Sequence, residues 1–293
     1  MTSRWVGVVR VALGAVAFAA VAVAFVQTWD RSQGLELPSW PSLMGAGALI
    51  AVGLYCGAQG WIYLLKQGDP RRLAATFYLS QIGKYVPGAI WQPAGQLTMA
   101  VAAGIPAALA STAVAVYMLT LIAAGGTVGA FLSVFGHLSG PARAAPFLGL
   151  IPIVLLNRMW MTASLDRVHR RFEWIPGGNS VPSQRAIFAS YAWGIVVMLT
   201  TGGAFFVLAA TISSEISLVT AVPAFAFAWT IGFLAIPVPA GLGIREAVLI
   251  GTLGADPAAA LAASVFYRLL SIIVEVAAVL VSRIGARRHP VEE

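Results

Sequence analysis

Long runs of apolar residues, separated by short polar connections, dominate the chain. A helix that crosses a bilayer needs about 20 mostly apolar residues, and six runs approach or exceed that length. They lie at about 11–29, 43–65, 107–135, 144–161, 186–210 and 258–281. The pattern therefore predicts an all-α polytopic membrane protein with about six transmembrane helices.

Two further apolar segments, residues 73–104 and 218–254, are interrupted by residues that break helices. The first contains the sequence IGKYVPGAIWQP at 82–93, and the second contains IPVPAGLGIRE at 236–246. Proline and glycine interrupt a helix, and broken backbone at membrane depth is tolerated only where it is buried in protein or lines a wet cavity. We therefore expect two re-entrant broken-helix hairpins.

The few charged residues predict how the chain crosses the membrane. Only 10% of the residues are charged, whereas soluble domains carry about 25%, and the formal net charge is +7. Basic residues gather at about 66–72, 158–185 and 283–288. This is the pattern of cytoplasmic span ends, so it does not indicate a nucleic-acid partner. Both termini are then cytoplasmic, and residues 1–293 form a single transmembrane domain.

The two broken segments and the spans that follow them can be aligned with each other. The matches are Gly83 with Gly232 (232 − 83 = 149), Pro87 with Pro237 (237 − 87 = 150) and Pro106 with Pro257 (257 − 106 = 151). The nearly constant offset predicts a repeat with halves at about 43–136 and 186–282. With the first hairpin entering from inside and the second from outside, the repeat is inverted, as in many secondary transporters.

Both breaks resemble the family of the lysylphosphatidylglycerol synthase transmembrane region, a flippase-like membrane domain. Residues 237–246 resemble its Pro-x-Pro-x-Gly-x-Gly-x-Arg-Glu signature, and a last span with Arg268 follows. The resemblance covers about residues 43–281. It implies a multi-pass protein of the bacterial inner membrane that moves a lipid with a polar head group between leaflets. Some members are fused to a domain that aminoacylates phosphatidylglycerol; this chain has no room for that domain, so we expect no synthase activity.

Charged residues at membrane depth are the candidate binding residues. An arginine fork suits a phosphate and a lysine supplies a point charge, so Lys84 and Arg245 could together neutralise a phosphate. Glu246 would pair with Arg268, which shares a helix face with Glu275 seven residues later. The full predicted substrate-binding set is Lys84, Tyr85, Pro87, Gly88, Trp91, Gln92, Pro237, Pro239, Gly241, Gly243, Arg245, Glu246, Arg268 and Glu275.

These features predict a flippase or transporter for a lipid with a polar, phosphate-bearing head group. The lipid itself stays open between an aminoacyl-phospholipid, a polyprenyl-phosphate sugar and another glycolipid. One alternative is a non-transporting accessory or scaffold protein for an enzyme of lipid or glycan biosynthesis. Another is a membrane-embedded glycosyltransferase, which would need acids in the first outer loop, where Asp30 and Glu36 lie without forming an acidic pair.

The sequence shows no complete signature for enzymatic chemistry, since Ser282, Arg283 and His289 match only part of a lipid-phosphatase signature whose other elements are absent. Its three histidines and single cysteine are scattered, and no nucleotide-binding loop is present. We therefore expect no catalytic residue, metal or cofactor. The expected partner is a membrane lipid or lipid-linked substrate, with a biosynthetic enzyme as a further partner and no nucleic acid.

Overall fold

A computed structural model describes residues 37–85, 91–135, 147, 150–172, 176–235, 241 and 243–288. These residues form helices and no strand. The helices are α1 (Trp40–Leu65), α2 (Pro70–Gln81), α3 (Trp91–Ala102), α4 (Ala107–Ala130), α5 (Leu132–Phe135), α6 (Ile151–Leu155), α7 (Arg158–His169), α8 (Gln184–Ile212), α9 (Leu218–Leu234), α10 (Ile244–Leu253) and α11 (Pro257–Arg288). Four helices in this part are long and apolar enough to cross a membrane, namely α1, α4, α8 and residues Pro257–Arg283 of α11.

Local chemistry at the helix ends sets the bounds of these elements. The Asp69 carboxylate accepts hydrogen bonds from the Arg71 and Arg72 backbone N–H groups at 3.1 and 3.3 Å, so it caps the start of α2. Pro106 occupies the N-cap of α4 and Pro257 begins α11. Proline suits the start of a helix because the first N–H groups have no partner within the helix. These prolines explain why the predicted starts of both spans agree with the structure to within a residue.

The first broken segment folds as two antiparallel arms, α2 and α3. A short 3₁₀ turn, Ile82–Tyr85, continues from α2 into the break. Next to the break, the Gln92 side-chain amide donates to the Gln81 side-chain oxygen at 3.1 Å. At the far end, Arg72 donates to the Ala102 carbonyl at 3.3 Å. The two ends of the segment therefore lie together, as the predicted hairpin requires.

The second broken segment folds as α9 and α10, which also pack together. Its two arms meet at Gly232 and Gly241, where a Cβ on Gly241 would lie 2.9 Å from the Gly232 Cα. Gly241 and Gly243 have positive φ angles of 66° and 80°, which glycine adopts without steric cost. The backbone thus turns sharply before α10 and brings the start of that helix against α9.

The long helices pack through small residues around the two hairpins. At one end of the α1–α8 contact Lys66 donates to Ser183 at 2.9 Å, and further along a Cβ on Gly53 would meet Thr200 Oγ1 at 2.8 Å. Helices α1 and α8 therefore run antiparallel. Helix α4 lies beside α8, with Thr120 and Ser190 hydroxyls 3.1 Å apart. Small and hydroxyl residues are typical of helix contacts in membranes, because they allow close approach.

The predicted span at 144–161 is wrong as a single helix. The structure ends α6 at Leu155 and starts α7 at Arg158, with Asn157 as the N-cap. Gln184 stabilises this break from α8: its amide donates to the Leu156 carbonyl at 3.0 Å and its oxygen accepts from the Arg158 backbone N–H at 2.6 Å. Neither α6 nor α7 is long enough to cross a membrane.

Some sequence predictions lie outside the described residues. These are the span at 11–29 and the four predicted site residues Pro87, Gly88, Pro237 and Pro239. The other five predicted spans can be compared with the structure, and four of them coincide with the long helices above.

Candidate functional site

A cavity of about 400 Å³ lies between the two hairpins. Its volume is within the range of about 300–1,000 Å³ that is usual for ligand pockets. Gly53 of α1, Tyr117 of α4 and Val197 of α8 contribute to its wall. Each lies within a turn of the midpoint of its helix. The cavity is therefore at half the depth of three candidate membrane spans.

Helix α11 carries two charged residues that each pair with a different hairpin. Glu275 pairs with Lys84 from the 3₁₀ turn of the first hairpin. Arg268 pairs with Glu246 from the start of α10 in the second hairpin, with 2.8 Å between Arg268 Nη2 and Glu246 Oε1. Arg268 and Glu275 are only 9% and 4% exposed, so the α11 member of each pair is buried, whereas the Lys84 side chain is 31% exposed. Burial without a partner would make each charge costly, and these pairs remove that cost.

Glu246 has a structural role at the start of its own helix. One carboxylate oxygen accepts from the Gly243 backbone N–H at 2.7 Å, which is the N3-to-N-cap bond of a capping box. The other oxygen accepts from Arg268 Nε at 2.9 Å and from the Ser264 hydroxyl at 3.1 Å. Three hydrogen-bond donors of the protein thus hold this carboxylate in place.

Arg245 follows the opposite pattern from its neighbour. Its side chain lies against Gly232, where a Cβ would be 2.5 Å from Arg245 Cγ, and its guanidinium carbon lies 5.7 Å from the centre of the Trp229 ring. Its Nε atom is buried and has no hydrogen-bond partner among the described residues. Arg245 forms no ion pair with any residue that the structure describes. The guanidinium borders the cavity with its charge unmatched by any described carboxylate.

The structure brings together residues that sequence reasoning kept apart or missed. Glu246 pairs with Arg268, as the sequence suggested. Lys84 pairs with Glu275, a contact that the sequence analysis did not predict. From the predicted set the cavity is lined by Lys84, Gln92, Gly241, Arg245 and Glu275. Tyr85 lies beside Lys84, whose ammonium is 5.2 Å from the centre of its ring. Trp91 begins α3 next to the break, and neither aromatic residue belongs to the cavity wall.

Gln81, Trp229 and Tyr267 line the cavity and were not predicted. Gln81 lies one helical turn before Lys84, so helical spacing carried a usable signal. Trp229 similarly precedes Gly232 and Phe233 by about a turn, and its ring stacks on Phe233 with 5.1 Å between centroids. Tyr267 precedes Arg268 in an apolar helix, where an aromatic residue gives no sign of lining a cavity.

Comparison with protein families identifies a match to most of the chain. A family model described as the lysylphosphatidylglycerol synthase TM region matches residues 6–278. The matched range contains both hairpins, both ion pairs and the whole cavity wall. Among curated proteins, no sequence matches the chain.

Proposed function

Since the chain belongs to the lysylphosphatidylglycerol synthase transmembrane region family, we propose that it is a lipid flippase whose cavity binds a phosphate-bearing head group at Arg245. Family membership and the four apolar helices make it a multi-pass membrane protein tied to lipid metabolism or transport. We further propose that the protein moves the lipid between leaflets of the bacterial inner membrane. Both of its termini are then cytoplasmic, and it catalyses no reaction.

The unpaired charge of Arg245 is the observation that carries this proposal. An arginine at the centre of a membrane costs about 2.5–3.5 kcal/mol on insertion scales, and such residues pair with an opposite charge or line a cavity. Arg245 lines a cavity and has no carboxylate partner among the described residues. A phosphate would supply that partner, and the guanidinium fork offers two donors for it. The mid-depth position suits a head group in passage between leaflets.

The arrangement of the helices supports alternating access. A long helix, a hairpin and a second long helix occur twice, as α1, α2–α3, α4 and as α8, α9–α10, α11. The first helices of the two sets run antiparallel, which agrees with an inverted repeat. In transporters with such repeats the site lies at the midplane between the broken helices. We therefore propose that the two hairpins are re-entrant and that one half moves against the other around the cavity.

A leaflet-exchange assay tests the proposal. The purified full-length protein is reconstituted in liposomes that contain a fluorescent anionic phospholipid, and a membrane-impermeant reductant is added outside. We expect quenching beyond the outer-leaflet fraction with wild-type protein and quenching at the protein-free level with Arg245→Gln. Arg185→Gln is the matched control, because Arg185 is exposed at the start of α8 and lies outside the cavity wall. If Arg245→Gln exchanges lipid at the wild-type rate, the proposed site is wrong.

The same vesicles separate the alternatives. A glycosyltransferase would change the mass of a lipid, which mass spectrometry of the extracted lipids measures, whereas a flippase changes only its sidedness. An accessory protein would change neither, and its partner would be an enzyme of lipid or glycan biosynthesis.

A further inference from the structure

Two glutamines from opposite arms of the first hairpin form an amide pair in the wall of the cavity. The Gln81 side-chain oxygen accepts from Gln92 Nε2 at 3.1 Å. Gln81 is only 7% exposed, and its own Nε2 has no partner among the described residues. Both glutamines line the cavity that Arg245 also borders. Leaving a buried donor without a partner is unfavourable, so this amide N–H group can donate to an acceptor such as a hydroxyl oxygen.

The charges around the cavity limit what else a head group can carry. Lys84 and Glu275 cancel each other, and so do Glu246 and Arg268. Arg245 leaves the five groups with one net positive charge. Glu275 is the carboxylate in the described wall; its Oε1 pairs with Lys84, and its Oε2 has no hydrogen-bond partner among the described residues. An ammonium group on the head group would therefore compete with Lys84 for this one carboxylate and would add to the net positive charge of the site.

We propose that the transported lipid has a phosphodiester with a single negative charge and a neutral hydroxylated head group, and that the Gln81–Gln92 pair binds its hydroxyls. This inference rests on the proposed function, because Arg245 must hold the phosphate. A glycerol, inositol or hexose head group has this chemistry, on a phospholipid or on a polyprenyl phosphate. A lysylated head group, whose two ammonium groups make the lipid net positive, is disfavoured. The Trp229 indole in the same wall gives the apolar face of a polyol a surface to pack on.

A lipid panel on the purified full-length protein tests the inference by native mass spectrometry. The panel contains phosphatidylglycerol, a polyprenyl-phosphate hexose, phosphatidylmethanol and lysylphosphatidylglycerol. Phosphatidylmethanol keeps the phosphodiester charge and lacks hydroxyls, and the lysyl lipid adds positive charge. We expect wild-type protein to bind at least one of the first two lipids about 3- to 10-fold more tightly than phosphatidylmethanol, which is the range of one neutral hydrogen bond. The lysyl lipid should bind most weakly, and the stronger of the first two lipids identifies the source.

Glutamine variants assign the preference to the amide pair. Gln81→Leu should remove the preference of the protein for the hydroxylated lipids over phosphatidylmethanol. Gln96→Leu is the matched control: Gln96 is a buried glutamine of α3 whose side-chain amide has no described partner, and it does not line the cavity. It should keep the wild-type preference.

The outcomes distinguish this inference from the proposed function. Equal binding of the lysyl and glycerol lipids, or a full preference in Gln81→Leu, overturns the head-group inference while Arg245-dependent binding still stands. The wild-type panel decides this even if a variant does not fold. If no lipid in the panel depends on Arg245 for binding, the phosphate site is wrong and both proposals fall.

Discussion

Arg245 and Glu246 are adjacent in sequence, but their charged groups have different surroundings in the structure. Glu246 accepts hydrogen bonds from Gly243, Ser264 and Arg268. Arg245 packs on Gly232 and Trp229 and keeps its charge available to the cavity. At the residue scale, therefore, one member of the pair is held by hydrogen bonds within the fold, and the other is the residue that we propose binds the ligand.

Neutralising each residue in turn should separate stability from binding. Glu246→Gln leaves the Arg268 guanidinium without its carboxylate, and breaking a buried ion pair on one side costs about 3–5 kcal/mol. We expect a clear drop in the thermal unfolding midpoint of the purified protein in detergent. Arg245→Gln removes no described ion pair, so its midpoint should stay near that of the wild type while lipid exchange is lost. The reverse result would show that the two roles are assigned the wrong way round.

The sequence could suggest one of the two ion pairs and not the other. Glu246 and Arg268 are joined by a short segment that Pro257 turns back, so their contact follows from local order along the chain. Lys84 and Glu275 are 191 residues apart in sequence. Their pairing depends on how the first hairpin packs against α11, and spacing along the chain contains no information about that packing.

At the element scale, both hairpins close through a glycine that faces the opposite arm. A Cβ on Gly83 would lie 2.8 Å from the Gln92 backbone nitrogen, and a Cβ on Gly241 would lie 2.9 Å from the Gly232 Cα. The two contacts occupy equivalent positions in the repeat, because Gly83 and Gly232 differ by 232 − 83 = 149 residues and Gln92 and Gly241 differ by 241 − 92 = 149 residues. The repeat already aligned Gly83 with Gly232, but only the structure shows what both positions do: they let two backbone segments approach closely.

A methyl group at the first of these glycines should open the hairpin. In Gly83→Ala the new Cβ meets backbone atoms of Trp91 and Gln92, which cannot move aside as a flexible side chain would. We expect a lower thermal unfolding midpoint and reduced lipid exchange. The control is Gly95→Ala in the same hairpin, where the Cβ finds only the Met99 side chain at 3.6 Å. Alanine is favoured over glycine inside a helix by about 0.5–1 kcal/mol, so this variant should be at least as stable as wild type. Equal behaviour of the two variants would contradict the close-approach argument.

At the scale of the whole molecule, hydropathy predicted the long helices well and failed where backbone polar groups find side-chain partners. The run at 144–161 is apolar enough for a span, yet Asn157 and Gln184 bind the backbone groups that a continuous helix would have satisfied itself. Hydropathy reports the free energy of transferring side chains out of water. It does not show where a distant side chain can bind the backbone groups that a helix break leaves without partners. The cavity likewise could not be predicted from the sequence, since most of the helices contribute residues to its wall.

The orientation of the whole molecule can be tested by cysteine labelling. Lys66 at the end of α1 contacts Ser183 at the start of α8, so these two ends lie on one side, next to the basic segment that α7 begins. In a Cys56→Ala background, cysteines at positions 71 and 170 should react with an impermeant maleimide only after cells are permeabilised. A cysteine at position 214, beyond the other end of α8, should react in intact cells. Labelling of positions 170 and 214 from the same side would contradict the predicted topology.

The two ion pairs of α11 have a consequence for how this sequence can vary. A mutation that removes the charge at position 84 leaves Glu275 without its ion-pair partner, and one at position 246 leaves Arg268 without its ion-pair partner. Inherited changes at these sites should therefore come in pairs, 84 with 275 and 246 with 268. Position 245 has no such partner in the described chain, so no second site compensates for its loss. Substitutions at position 245 should instead correlate with the lipid composition of the host membrane. An analysis of covarying positions among relatives would therefore separate the four residues that maintain the fold from the residue that we propose binds the substrate.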